Sequence, residues 1–320
     1  VRLRDTQASI AMLATIATVV PIFALVLSGW LVRRIGVLGA AATTELNRFV
    51  VYLALPALLF DVVAKADLSE IWQPGFIAAF GLGSATVFAG TLLVRLHRGL
   101  ADATIEGLNA AYANTGFLGF PLALAVLGRD ALGSTLVATI ITACILFAVA
   151  IVLIEIGVQK ERQGWSLFAR VGRSLITNPL LLAPALAAVF PLTGMVLPTP
   201  VASFFDLLEG AASPCALVAL GLFLAAERQP GTTSIRLTGA LLLLKLIGQP
   251  VVTWILAVPV FHLPPSLATT AVLLAALPTG TGPFMLAEFY GRQAAVTSRI
   301  ILLSTLISVL TVSAYLTAAG

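Results

Sequence analysis

Residues 114–121 read Asn-Thr-Gly-Phe-Leu-Gly-Phe-Pro and lie in the middle of an apolar segment, 101–128. A proline inside a helix removes a backbone donor and costs about 3 kcal/mol or more, and each glycine adds roughly 1 kcal/mol. Asn114 lies thirteen residues past Ala101, which is about 20 Å along a helix at 1.5 Å per residue. The stretch therefore predicts a helix that is interrupted deep inside its apolar span.

A second stretch of the same kind reads Leu-Pro-Thr-Gly-Thr-Gly-Pro-Phe at 277–284, inside the apolar segment 265–290. One isolated proline would predict a simple kink. Two matched Gly/Pro clusters, each with additional Asn or Thr, instead predict two interrupted helices. Unpaired backbone groups are very costly in lipid, so both breaks are expected to line a polar cavity.

The composition indicates that lipid surrounds most of the chain. Apolar residues make up 59% and charged residues 10% of the sequence, whereas soluble domains carry roughly 25% charged residues. The net charge of +4 is not gathered into a patch, so nucleic-acid binding is not expected. No His, Cys or carboxylate cluster has the spacing of a metal site, and Cys144 and Cys215 are expected to be free thiols.

Ten apolar segments predict ten transmembrane helices of about 20 residues or more. The first is interpreted as a span rather than a cleaved signal, because it is long and runs into Arg33 and Arg34. Between the segments, thirteen Lys and Arg residues fall in the odd-numbered loops and four in the N-terminus and even-numbered loops. The odd-numbered loops are therefore predicted to be cytoplasmic and both termini to lie outside, in a plasma membrane such as the bacterial inner membrane. The segments are 10–32, 47–64, 73–95, 101–128, 131–157, 179–197, 201–225, 237–261, 265–290 and 294–319.

The chain divides at its midpoint into two similar units. Pro56 and Pro214 are 158 positions apart, and Pro121 and Pro283 are 162 apart, which indicates a duplication of 1–158 in 179–320. Residues 159–178 are predicted to form a cytoplasmic amphipathic linker on the membrane surface. An odd number of spans per unit inverts the second copy. The predicted fold is an all-α membrane protein of ten transmembrane helices in two inverted five-helix repeats, with crossing broken helices in spans four and nine.

Half-helix ends that meet at mid-membrane have a definite chemistry. Their N-termini offer N–H groups and partial positive charge to an anion, and their C-termini offer carbonyls to a cation. This arrangement predicts a secondary transporter of a small organic anion. No cofactor is expected, and a coupling ion, H⁺ or Na⁺, is left open.

The same residues resemble the auxin efflux carrier family, which includes plant PIN proteins and many bacterial carriers. The similarity lies in 114–122 and 276–284, and also in Leu-Gly-Leu-Phe at 220–223 and Lys-Leu-Ile-Gly-Gln-Pro at 245–250. It implies a scaffold part, a transport part built around the crossing helices, homodimers, and export of organic anions such as auxins or, in bacteria, malonate. This sequence departs from the family at Thr279, where Gln is usual, and at Glu288, where a basic residue is common.

Asn114 is the first candidate for a substrate ligand, because its amide offers two donors and an acceptor. The alternative is that it caps the freed backbone of its own helix. The other predicted substrate-binding residues are Thr115, Gly116, Thr279, Gly280, Thr281 and Lys245. Those predicted to shape the crossover are Gly119, Pro121, Pro278, Gly282 and Pro283.

Charged residues inside the spans need partners. Lys245 lies near the midplane, where a charge costs at least about 2.5–3.5 kcal/mol, and one hypothesis pairs it with Glu288 or an acidic group on span seven. The alternatives are a structural ion pair or a side chain that snorkels to the surface. Asp206, Glu209 and Glu288 are candidates for an ion or proton site, although Asp206 and Glu209 would also suit interfacial water.

Other classes of membrane protein fit the sequence less well. An enzyme is not expected, because no histidine lies mid-membrane and no nucleophile–base pair is evident within the spans. A channel, or a non-transporting membrane receptor on a carrier fold, is the alternative function. The expected partners are a small organic anion, membrane lipid and a second copy of the chain.

Overall fold

The computed structural model describes residues 20–65 except 22, 72–159, 173, 177–226 and 234–319, and this part of the chain is built from α-helices. The linker predicted at 159–178 and the start of the first span lie largely outside the described residues. The helices are α1 (20–34), α2 (Ala42–Ala64), α3 (Pro74–Arg98), α4 (Leu100–Ala111), α5 (Thr115–Leu127), α6 (Arg129–Gln159), α7 (Pro179–Thr193), α8 (Thr199–Ala225), α9 (Ile235–Val260), α10 (Pro265–Ala276), α11 (Gly282–Phe289) and α12 (Ala294–Ala319).

Six of these helices are long and apolar enough to cross a membrane, namely α2, α3, α6, α8, α9 and α12. They coincide with the predicted spans two, three, five, seven, eight and ten, and they confirm the all-α membrane class. The fourth span is divided into α4 and α5, and the ninth into α10 and α11. The sixth, α7, is short because the chain turns away at Gly194, whose φ of 69° ends the helix in a left-handed residue. The full count of ten and the inverted repeat stay predictions.

Several prolines are absorbed by wide helical turns instead of breaking their helices. π-helical turns at Val50–Ala54 and Leu244–Gly248 are each followed two residues later by a proline, Pro56 and Pro250. A proline ring collides with the carbonyl four residues earlier, and a π turn moves that carbonyl aside. As a result α2 and α9 continue through their prolines.

The α1 and α8 helices touch backbone to backbone. A methyl group at Gly29 would lie 2.2 Å from the carbonyl oxygen of Val218, and one at Gly221 would lie 2.0 Å from that of Val26. Only glycine permits such an approach, which is a common way for helices to associate in membranes. Because α2 packs against both α7 and α8, these four helices form one group.

A second group forms around α3. It packs against α4, α9 and α10, while α4 packs against α6. The larger apolar core runs through both groups and includes Leu59, Phe147 and Leu220, and a smaller core includes Phe80 and Leu274. The broken helices lie where the two groups meet.

Candidate functional site

The breaks in spans four and nine face each other, as the sequence predicts. The connection between α4 and α5 runs antiparallel to the connection between α10 and α11, with Ala113 opposite Thr279. The Asn114 N–H donates to the Pro278 carbonyl at 2.9 Å, and the Gly280 N–H donates to the Tyr112 carbonyl at 3.1 Å. We call these two connections, 112–114 and 277–281, the linkers of the crossover. Each linker satisfies backbone groups of the other, so these groups are not left unpaired in lipid, where that would be costly.

The break in the fourth span lies at 112–114, at the start of the Gly/Pro cluster rather than within it. Gly116, Gly119 and Pro121 belong to α5, whose first turn, Thr115–Gly119, is π-helical. A side chain at Gly119 would come within 3.3 Å of both Leu274 and Thr135. Gly119 therefore lets α5 pack closely against α10 and α6, so its role is in packing.

Gly280 in the second linker and Gly282 at the start of α11 accommodate one aromatic ring. A methyl group at Gly280 would lie 2.9 Å from Cε1 of Tyr112, and one at Gly282 would lie 2.8 Å from its Cζ and hydroxyl oxygen. Pro283 stands in the first turn of α11, where a proline gives up no hydrogen bond. These residues lie at the crossover, and their role in shaping it stays a prediction.

The C-terminal ends of the two half-helices that enter the crossover are held by α9. Lys245 is fully buried, and its Nζ donates to the Ala275 carbonyl at 2.8 Å and to Oε1 of Gln249 at 2.7 Å. Nε2 of Gln249 donates to the Ala111 carbonyl at 2.9 Å and to the Ser84 hydroxyl at 3.0 Å. We call Lys245 and Gln249 the α9 clamp, because they satisfy carbonyls in the last turns of both α4 and α10.

The clamp corrects one hypothesis about Lys245. Its hydrogen bonds go to a backbone carbonyl and an amide, and the pairing with Glu288 or with an acidic group on span seven is not the arrangement observed. Snorkelling is also excluded for this fully buried side chain. Gln249 was missed as a partner, although its spacing of four residues from Lys245 places both on one helix face.

A small cavity of about 30 Å³ lies beside the crossover. The N-termini of α5 and α11 both reach it, and their first turns carry N–H groups without helical acceptors. The opposite wall comes from α2 and α8 through Leu55, Leu58, Ala212 and Ala216. A cavity of this size holds about a water molecule or two, whereas ligand pockets measure about 300–1,000 Å³.

The cavity collects some predicted substrate residues and leaves others out. Thr279 and Gly280 instead join the linkers, and Lys245 belongs to the clamp. The Thr279 hydroxyl donates to the Asn109 carbonyl at 2.8 Å, and its N–H donates to Ser304 at 3.1 Å. The predicted residues that line the cavity are Asn114, Thr115, Gly116, Thr281 and Gly282.

Asn114 lines the cavity, and its role as a substrate ligand stays a prediction. Its backbone carbonyl accepts from the N–H groups of Leu118 and Gly119, but its side chain does not cap α5. Within the described chain no hydrogen bond engages this amide, although the residue is only 8% exposed. The amide therefore retains its donors and acceptor for a molecule in the cavity.

A charged cluster lies where α2 ends beside α8. Carboxylate oxygens of Asp61, Asp206 and Glu209 lie within 4.8 Å of one another. Lys65 bonds Asp61 at 2.7 Å and Asp206 at 2.5 Å. Burial lowers the pKa of Lys65, but its hydrogen bonds to the two aspartates and their charges outweigh burial and leave the pKa above its usual value. Glu288 is not part of this cluster, and Asp61 and Lys65 were not foreseen there.

Apolar helices long enough to cross a membrane, with two interrupted helices that meet at a small buried cavity, are typical of a multi-pass membrane transport protein. Comparison with known proteins supports the same class. The family described as "Membrane transport protein" matches residues 14–316. The chain therefore belongs to this family, the auxin efflux carriers.

Three relatives illustrate the similarity. The chain is 31% identical over 306 residues to the "Putative malonate transporter" of Rhizobium meliloti (strain 1021), covering 93% of each protein. It is 32% identical over 212 residues to an "Uncharacterized transporter" of Methanothermobacter thermautotrophicus, covering 65% of this chain and 67% of the relative. It is 27% identical over 228 residues to the "Uncharacterized transporter YfdV" of Escherichia coli (strain K12), covering 67% and 69%.

Proposed function

We propose that this protein is a secondary active carrier that exports a small carboxylate anion across the plasma membrane by alternating access. The observation that carries the proposal is the crossover itself. Two helix N-termini and the unengaged Asn114 amide face one buried cavity. Positive dipole ends and amide donors favour a carboxylate, and they favour it more strongly where water is excluded.

The small size of the cavity supports a mechanism in which the protein changes conformation to bind its substrate. At about 30 Å³ it is closed to a dicarboxylate, so binding requires its two walls to separate. One wall belongs to the group of α1, α2, α7 and α8, and the other to the crossover. The linkers are hydrogen-bonded to each other, so the crossover moves as a block against α2 and α8. Ten transmembrane helices in two inverted repeats, with both termini outside, would expose the block to the two sides alternately.

The name of one relative supports a narrower proposal for the substrate class. The Rhizobium protein carries malonate in its name, and malonate is a small dianion of the type that two helix N-termini and an amide would hold. We propose malonate and similar short dicarboxylates as the first substrates to test.

We further propose that protons couple transport at the cluster of Asp61, Lys65, Asp206 and Glu209. Three carboxylates lie close together there, and Lys65 pairs with two of them, Asp61 and Asp206. In the described chain Oδ1 of Asp61 and Oε2 of Glu209 are buried and have no hydrogen-bond partner. A proton held between these two oxygens would satisfy both and relieve their repulsion.

Transport by purified protein in proteoliposomes tests the proposal. Malonate, succinate and acetate are supplied in turn, with uncharged malonamide as the matched control, and proton and sodium gradients are imposed separately. We expect saturable malonate flux that is accelerated by malonate on the opposite side and driven by the proton gradient. Flux that rises linearly with concentration would indicate a channel. A folded protein that moves none of the anions would contradict the proposal.

A further inference from the structure

A second and larger cavity, of about 930 Å³, lies away from the crossover between α3, α9 and the start of α12. Its walls include Val87, Gly90 and Val94 on one side and Leu237, Ala240 and Leu241 on the other. Gly90 and Ala240 leave room between these walls. A methyl group at Gly90 would meet no atom within 4 Å.

One end of this cavity is basic. Arg95 and Arg98 stand at the end of α3, and Arg236 stands at the beginning of α9. Arg95 is engaged by the fully buried Glu106, with Nε 2.5 Å from Oε2 and Nη2 3.4 Å from Oε1. This ion pair neutralises the carboxylate in the wall. Arg98 and Arg236 are exposed, and no ion pair or hydrogen bond engages either side chain within the described chain.

The cavity has positive charge at one end and apolar walls along the rest, which is complementary to an anionic membrane lipid. Thr86, at the far end, precedes Arg98 by twelve residues, which is about 18 Å along α3. Val94 is 73% exposed, so the cavity is open sideways toward the bilayer. The arginines lie on the face that the Lys and Arg bias assigns to the cytoplasm, where basic pockets between helices bind anionic headgroups.

We propose that this cavity binds one anionic glycerophospholipid, with its headgroup phosphate on Arg98 and Arg236 and an acyl chain along the apolar walls. A soluble phosphate would use the arginines but leave the apolar 18 Å of the cavity unfilled. A neutral lipid would fill the walls but leave two guanidinium groups without an anion. An anionic lipid satisfies both halves of the cavity, whatever the transported substrate.

Native mass spectrometry of the purified full-length protein tests this proposal. The protein is titrated with phosphatidylglycerol and phosphatidylcholine of identical acyl chains. We expect phosphatidylglycerol to bind preferentially. Each of Arg98→Gln and Arg236→Gln should weaken it about fivefold, since a basic residue near an anionic lipid surface contributes about that factor. Arg48→Gln is the matched control, because Arg48 is also exposed and lies outside the cavity.

A second pair of variants tests the apolar half without changing charge. Gly90→Leu fills the cavity and should displace the lipid, whereas Gly210→Leu, at a helical glycine that also has no atom within 4 Å, should not. Glycerol 1-phosphate supplied in excess distinguishes a headgroup site from a lipid site. Equal binding of the two lipids, equal binding by all variants, or complete displacement by glycerol 1-phosphate would each overturn the proposal. Unchanged thermal unfolding of the variants assigns any loss to the site.

Discussion

Replacing the Asn114 amide with an isosteric carboxylate tests the anion site most directly. Asn114→Asp keeps the shape of the side chain and leaves the backbone bonds of the crossover in place. A substrate carboxylate about 4 Å from the new one would be repelled by about 4 kcal/mol at an effective dielectric constant near 20. That energy corresponds to a loss of affinity of about a thousandfold. We expect malonate counterflow in proteoliposomes to fall accordingly.

The same variant carries an internal check. Lowering the pH protonates the new carboxyl group, which then resembles the amide, so transport relative to wild type should recover. Asn178→Asp is the matched control, because Asn178 caps α7 by accepting from the Leu180 N–H at 3.0 Å and aspartate caps equally well. Wild-type affinity and rate in a folded Asn114→Asp protein would refute the anion site at the crossover.

Three further predictions concern the scaffold, the clamp and coupling. Gly221→Ala should lower the free energy of unfolding by about 1–3 kcal/mol, because the added methyl group overlaps the α1 backbone. Gly210→Ala on the same helix should instead gain about 0.5–1 kcal/mol, and thermal shifts of the same sign would contradict this reasoning. Lys245→Met should lower both the melting temperature and transport, because a carbonyl of α10 and the Gln249 amide oxygen lose their donor, at about 1–3 kcal/mol for each buried acceptor. Normal transport rates and melting would remove the clamp from the mechanism. Glu209→Gln should abolish acceleration by a proton gradient and preserve counterflow, and a retained response to the gradient would exclude Glu209 as the coupling group.

The broken helices could be predicted because their causes are local. Glycine and proline act on their own turn of helix, and the apolar segments around 114–121 and 277–284 set the depth of both breaks. The candidate ligand Asn114 followed from the same reasoning. The position of the first break did not, since a π-helical turn absorbed Pro121 and moved the extended residues back to 112–114.

The contacts between distant segments could not be predicted from one sequence. Lys245 was recognised as costly in the membrane, but its acceptors lie on α10 and on its own helix, and the reach of Gln249 to α4 depends on how three helices pack. Asp61 lies close to Glu209 only because α2 packs against α8. The size of the cavity beside the crossover likewise depends on how closely the helices pack, which the identity of the lining residues does not determine.

In the predicted inverted repeat and the proposed alternating-access cycle, the α9 clamp distinguishes the two halves of the chain. At the offset of 162 residues that separates Pro121 from Pro283, the positions that correspond to Lys245 and Gln249 are Gly83 and Val87, whose side chains cannot donate a hydrogen bond. A perfectly duplicated carrier would be equally stable in its inward-facing and outward-facing forms. With both donors on one half, the two forms differ in energy before any gradient is applied, so the empty carrier should rest facing one side of the membrane.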